Sequence, residues 1–295
     1  MLDAWGDDPA VRATLAEASE VLGEDIAKLV REGPKDQLEL TTNTQPVMLT
    51  AGVACYRAWL AQTGRVPALV AGHSLGEYTA LVAAGALSFA DALPLVRFRA
   101  QAMQEAVPVG TGAMAAVLGM DASAVRDACA EIMSEGTDVV EAVNFNDPKQ
   151  TVIAGTKAGV DRACEVLKAR GAKRAMPLAV SAPFHSSLMK PAAERLKARL
   201  DATPFVRPLI AVINNVDVAV NTEPAAIREA LYRQAFGPVR WVELVQAMRS
   251  SGVTRILECG PGKVLSGAIK RIDPEMPVAN VHDPVTLVAV RDSFA

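Results

Sequence analysis

Gly72-His73-Ser74-Leu75-Gly76 is the stretch whose reading decides the fold. Pro67 and the short apolar run Ala68-Leu69-Val70-Ala71 precede it and predict a buried strand. Glu77 to Ala84 follows and predicts a helix that ends near Gly85. Strand, tight Gly-x-Ser-x-Gly turn and helix is the context of a nucleophile elbow, in which the serine hydroxyl is exposed at the mouth of a sheet. The glycines allow a sharp turn and close backbone approach. Ser74 is the candidate nucleophile, and the N–H of Leu75, in the first turn of the helix, is a candidate oxyanion donor.

Composition narrows the class. The 295 residues are 51% hydrophobic, enough for one large core and a smaller domain. The formal net charge of -3, with both signs interspersed, argues against an electrostatic nucleic-acid binder, and aromatics at 4% argue against base-stacking platforms. Cys55, Cys129, Cys164 and Cys259 are widely spaced with no Cys-x-x-Cys, which predicts buried thiols in a reducing compartment rather than a metal site or disulfides. The N-terminus is acidic and lacks signal-peptide order, and no apolar run is long enough for a membrane span. A soluble, cytoplasmic protein without a metal site is expected.

Outward from the elbow, Pro9 to Glu32 predicts one or two surface helices. Thr41 to Gln45 predicts a polar loop, with Pro46 opening a helix from Val47 to Gln62. Ser88-Phe89-Ala90-Asp91 resembles a capping box and opens a helix to about Ala106. Leu95, Val96, Arg99 and Met103 share one face of it, so Arg99 lies in an apolar stripe. Position alone leaves open a structural ion pair or a stem that reaches water.

After Gly110-Thr111-Gly112, read as an interdomain hinge, the rhythm changes. Strands at 113–118, 139–144, 150–154 and 173–180 and helices at 122–133 and 160–170 give βαββαβ, a ferredoxin-like unit. The expected architecture is α/β: a large α/β-hydrolase-like domain with a parallel sheet, formed by 1–110 and 181–295, and an inserted ferredoxin-like domain at 111–180. Beyond the insertion come helices at 191–200, 224–236 (capped by Asn221 or Thr222) and 241–250. Strands are expected at 209–214 and 255–259, and Gly260-Pro261-Gly262-Lys263 reads as a strand-to-helix turn, not a phosphate loop.

A nucleophilic serine needs a base. Of the three histidines, His73 adjoins Ser74 and diverges from it, and His282 near the C-terminus reads as a surface residue. His185, at the return from the inserted unit, is the candidate base. No acid is placed as a third triad member. The carbonyl of Gln234, in the last turn of its helix, could orient the histidine, or Gln234 could simply pack.

Taken together, Gly72-His73-Ser74-Leu75-Gly76-Glu77-Tyr78, Arg99, Met103 to Pro108, Gly112 to Ala116, Val143-Asn144-Phe145-Asn146, Pro183-Phe184-His185-Ser186, Asn214-Asn215-Val216-Asp217, Arg233-Gln234 and Gly260 to Leu265 carry a resemblance. So does Asn43-Thr44-Gln45-Pro46, where the family commonly has Gln-Thr-Gln-Pro. The chain resembles the malonyl-CoA:acyl carrier protein transacylase family, essentially end to end.

The resemblance implies ping-pong transfer of malonyl from coenzyme A to the phosphopantetheine thiol of acyl carrier protein, through Ser74 with His185 as base. It implies that Arg99 grips the malonate carboxylate, that the Gln234 carbonyl orients His185, and that Gln45 lies with them in the substrate site. It further implies that Phe184 excludes an α-methyl branch. A monomer that uses no cofactor, nucleic acid or membrane is expected. The family opens with a strand and Gly-Gln-Gly-Ser-Gln, a segment expected to be missing from a chain starting Met1-Leu2-Asp3. That difference leaves an inactive carrier-binding module open as an alternative, the same elbow leaves a serine thioester hydrolase open, and a polyketide-type discrete acyltransferase stays open as well.

Overall fold

The computed structural model describes residues 1–180 and 182–293. After a short 3-10 turn at Asp3–Trp5 come α1 (Pro9–Leu22), α2 (Ile26–Glu32), α3 (Lys35–Glu39) and α4 (Thr41–Thr63). Asp8 caps α1 by accepting the N–H groups of Ala10 and Val11, and Gly23, at φ 65°, closes it. The loop expected over Thr41 to Gln45 is instead the first turn and more of α4, so Pro46 lies inside the helix rather than opening it. Proline there forfeits one backbone bond. Local side chains offset the loss: Thr44 Oγ1 donates to the carbonyls of Leu38 and Leu40, and Asn43 Nδ2 donates to that of Gln37.

The elbow follows as β1 (Leu69–Ala71) and α5 (Gly76–Ala83), and then α6 (Phe89–Gln104). Ser88 caps α6 by accepting the Asp91 N–H, while its hydroxyl bonds the Asp91 carboxylate at 2.5 Å. The apolar face of α6 packs against α4, and Leu95, Val96, Arg99 and Met103 are all buried.

The inserted unit comprises β2 (Gly112–Leu118), α7 (Ala122–Ser134), β3 (Val140–Asp147), β4 (Gln150–Thr156), α8 (Lys157–Ala169) and β5 (Arg174–Pro177). Its sheet has the order β3-β4-β2-β5, every pair antiparallel, which is the split βαβ arrangement. Ala115, Val117, Val140 and Ile153 of the sheet meet Val125, Ala128, Ile132, Val160, Ala163 and Leu167 of the two helices in one aliphatic core. The last strand stops at Pro177, short of the expected Val180, with one further ladder bond from the Leu178 N–H to the Met114 carbonyl. The boundary residue Ser181 lies outside the described residues.

The chain then adds α9 (Lys190–Ala202), β6 (Ala211–Ile213), α10 (Pro224–Gln234), α11 (Trp241–Ser250), β7 (Ile256–Cys259), α12 (Val264–Ile272), β8 (Val278–Val281) and α13 (Pro284–Asp292). The large domain's strands pair in parallel, β1 with β6 from Leu69↔Ala211 to Ala71↔Ile213, and β7 with β8. The N-cap of α10 is Glu223, not Asn221 or Thr222, and Pro224 supplies the start by its fixed φ. Glu258 caps α12 across the Gly260–Lys263 turn, accepting the N–H groups of Leu265 and Ser266.

Both β8 and α13 were missed from sequence. Asp283-Pro284 with Thr286 is a capping box in the structure, and that signal was present in the sequence. His282, expected on the surface, is half-buried ahead of this helix, with Nδ1 2.7 Å from Asn280 Oδ1. No helix among the described residues is long and apolar enough to cross a membrane.

Candidate active site

The turn between β1 and α5 places Ser74 at φ 52°, in the left-handed region that side chains other than glycine adopt only under constraint. Two features impose it. Gly72 lies so close to Gly76 that a Cβ on it would come within 2.0 Å of the Gly76 backbone, so only glycine fits. Gly76 itself has open space around it. Asn215, just beyond β6, then grips the turn from across the sheet: Oδ1 accepts the Ser74 N–H at 2.6 Å, and Nδ2 donates to the Gly72 carbonyl at 2.7 Å. Leu75 sits at the N-cap of α5, where the first N–H groups have no intrahelical acceptor. His73 turns away from Ser74, its Nε2 2.8 Å from Asn146 Oδ1 of β3.

His185 lies 2.7 Å from Ser74 Oγ through Nε2 and 2.9 Å from the Gln234 carbonyl through Nδ1. A carbonyl can only accept, so Nδ1 carries the proton and Nε2 faces the serine as the basic nitrogen. His185 is itself at φ 66° and buried. Burial, with the Arg99 cation close by, lowers its pKa to about 3, so the imidazole is neutral in the resting site. Phe184, one residue earlier, is half-buried and packs against Met103 and Met189 on one side and Met114, Val143 and Val152 on the other.

Arg99 is 2% exposed, and its hydrogen-bond partners are neutral. Nη1 donates to Gln45 Oε1 at 2.6 Å, and Nη2 donates to Gln234 Oε1 at 3.1 Å and Ser74 Oγ at 3.2 Å. The guanidinium stands 5.5 Å from the Tyr78 ring. A structural ion pair and a stem reaching to water were both open from sequence, and the structure has neither. The cation is buried against oxygens that carry no charge, beside the candidate nucleophile. The nearby carboxylate is Glu77, whose Oε2 accepts the Asn215 N–H and the Gln234 Nε2–H, each at 2.9 Å. Burial pushes Glu77 up to about 7 against the opposing pull of these bonds and of Arg99.

Ser74, Leu75, Arg99, His185, Gln45 and Gln234 therefore converge from five separated stretches of the chain, and Phe184 adjoins His185. Sequence reasoning gave no role to Glu77, to Asn215 or to the Gln234 side chain. A lone carboxylate in an otherwise apolar helix is the signal that could have found Glu77.

An α/β fold with a strained serine at a strand-to-helix turn, a histidine nitrogen at its hydroxyl and a main-chain carbonyl behind that histidine is the arrangement found in acyl-transfer proteins. The profile of the acyl transferase domain family matches residues 3–282. The malonyl CoA-acyl carrier protein transacylase of Escherichia coli K12 is 51% identical over 289 residues, covering 98% of this chain and 93% of that protein. The crystal structure of acyl-carrier-protein S-malonyltransferase from Burkholderia pseudomallei 1710b superimposes with a TM-score of 0.97 at 62% identity, covering 99% of this chain and 94% of that one. A malonyl-transacylase solved in complex with its type II PKS acyl-carrier protein gives 0.94 at 48% identity, over 97% and 92%. The chain belongs to the acyl transferase domain family and, within it, to the malonyl CoA-acyl carrier protein transacylases.

Proposed function

We propose that this chain moves a malonyl group from malonyl-CoA to the phosphopantetheine thiol of acyl carrier protein, through a malonyl ester on Ser74, in support of fatty acid synthesis. One observation carries the reading: Ser74 Oγ touches His185 Nε2 at 2.7 Å and Arg99 Nη2 at 3.2 Å. The base and a buried cation whose hydrogen-bond partners are all neutral thus meet at one nucleophile. That combination suits an acyl group with its own carboxylate close to the reacting carbonyl.

Ser74 Oγ attacks the thioester carbon and gives its proton to His185 Nε2. The developing imidazolium is held by its Nδ1–H bond to the Gln234 carbonyl. The tetrahedral oxygen is stabilised by the Leu75 N–H. The carbon–sulfur bond breaks, and the proton passes from His185 to the departing CoA sulfur. Entry of the phosphopantetheine thiol runs the same steps in reverse, with His185 taking the thiol proton and returning it to Ser74.

Arg99 pairs with the malonyl carboxylate, a planar fork to a planar acceptor, while Gln45 and Gln234 hold the guanidinium. Phe184 fills the space an α-methyl branch would need. Each step is supplied by a side chain or main-chain group of the site. In this reading 1–110 and 181–295 form the catalytic core and 111–180 the small domain, with Gly112 at the crossing. A Cβ there would come within 2.4 Å of Pro183, where the chain returns. The free thiols of Cys55, Cys129, Cys164 and Cys259 fit a cytoplasmic setting.

Intact-mass spectrometry after brief incubation with malonyl-CoA tests the reading. The parent chain is expected to gain one malonyl group and Ser74→Ala none, and transfer to holo acyl carrier protein should then clear the adduct. A folded parent with no adduct would overturn it.

A further inference from the structure

We infer that Glu77 is a positioning residue for malonyl selectivity: it fixes the side-chain amide of Gln234 and, through that amide, the guanidinium of Arg99. The inference rests on the reading of Arg99 as the grip on the substrate carboxylate. Nothing in the acyl-transfer steps uses Glu77, yet it is 2% exposed one helical turn from the nucleophile. A buried carboxylate is costly to keep, and its partners indicate what it does.

The Gln234 amide has two ends with opposite demands. Its Nε2 donates to Glu77 Oε2 at 2.9 Å and to the Ser74 carbonyl at 3.0 Å. Both partners accept there, so the amide oxygen is left facing Arg99 Nη2 at 3.1 Å. The flipped amide would point its oxygen at Glu77 and its N–H groups at a cation. Glu77 thus sets which way Gln234 points, and Gln234 is one of two side-chain amides that hold the guanidinium.

The same Oε2 also accepts the Asn215 N–H, and Asn215 clamps Ser74 and Gly72. One carboxylate oxygen therefore ties the carboxylate grip to the elbow. It does so without touching either reacting group, which makes its effect one of register between Arg99 and Ser74.

The test compares formation of malonyl-Ser74 and acetyl-Ser74 in single turnover with malonyl-CoA and with acetyl-CoA, which lacks the second carboxylate. Glu77→Ala should cut the malonyl-to-acetyl rate ratio by about 10- to 100-fold, the range expected for losing a hydrogen bond to a charged group. Glu77→Gln retains a carbonyl oxygen able to accept from Asn215 and Gln234, so it should stay within about threefold of the parent ratio, as one retained neutral bond allows. Should Glu77→Ala fail to fold, Glu77→Asp carries the test: its shorter side chain cannot reach both donors, and the ratio should fall by about tenfold.

Loss of both acyl reactions in equal measure in the folded variant would reduce Glu77 to a structural residue and overturn the inference. So would a Glu77→Gln ratio as low as that of Glu77→Ala. A parent that takes up acetyl but no malonyl overturns the proposed function, and this inference with it. A malonyl-selective parent with an unmoved Glu77→Ala overturns this inference alone.

Discussion

The inserted sheet and the elbow bury different kinds of group. Between β2 and β5 the core is aliphatic with two cysteines, and Thr151 and Asp147 are its only deeply buried polar side chains among the described residues. Around the elbow, Gln45, Glu77, Arg99, His185, Asn215 and Gln234 are all buried and bonded to one another or to Ser74. The first region is held by area removed from water, which tolerates apolar exchanges that keep the volume. The second is held by a polar network that is strong when complete and costly when one member is lost. Substitutions in the two regions should therefore separate stability from activity.

The largest separation is expected at Arg99. Arg99→Ala removes the cation but leaves Ser74 and His185 in place. Acylation by malonyl-CoA should fall about 1,000-fold, within the range for truncating one partner of a buried charge pair. Acylation by acetyl-CoA should change by less than about tenfold, since no carboxylate is lost there. Single-turnover mass spectrometry with the two thioesters measures both. Equal loss with each would mean that Arg99 supports the fold rather than the substrate.

Asn215→Ala and Ile153→Ala form a matched pair. The first leaves the Ser74 N–H and the Gly72 carbonyl without their partner, at about 1–3 kcal/mol for each buried group. The second opens a cavity in the inserted core, where Ile153 is fully buried, at about 2–5 kcal/mol. Denaturant titration should find comparable losses of stability. Only Asn215→Ala should also slow Ser74 acylation, because it alone releases the strained turn. If Ile153→Ala slowed acylation as much while the protein stayed folded, the two regions would be one functional unit.

The same contrast decides what could be read in the sequence. The inserted unit was legible element by element, because alternation on strands and three-to-four spacing on helices are local patterns. The elbow was legible for the same reason: Gly72 to Gly76 is a local turn, although the Asn215 clamp that holds it comes from far along the chain. The remaining site contacts span great distances along the chain, 111 residues between Ser74 and His185 and 135 between Arg99 and Gln234. No window shows them. Arg99 could be placed on an apolar stripe, but its neutral partners could not be inferred, and the helix-end Gln234 could equally have been mere packing. The resemblance supplied those roles, and it said nothing of the bonds from Gln234 and Asn215 to Glu77. The turn before Pro46 was misread because proline usually marks a helix start, and the side chains that rescue the longer helix bond to α3, outside the pattern.

The smallest expected effect is a flat line. An ordinary histidine, at 6.5, would lose its basic form as pH falls from 7 to 5, and kcat/KM would drop about tenfold or more with it. His185 is lowered to about 3, so protonation removes the base only as pH falls toward that value, and between 7 and 5 the imidazole stays neutral. Glu77, pushed up to about 7, takes up a proton over the same interval and withdraws a negative charge from beside Arg99. That change favours the substrate carboxylate, so its sign opposes any acid loss. The value of kcat/KM for malonyl-CoA should therefore hold, or rise by about twofold, between pH 7 and pH 5. In Glu77→Gln the small rise should vanish and the line should stay level. An acid limb centred near 6.5 in both proteins would show that water reaches His185 and that the polar shell around the elbow is not closed in solution.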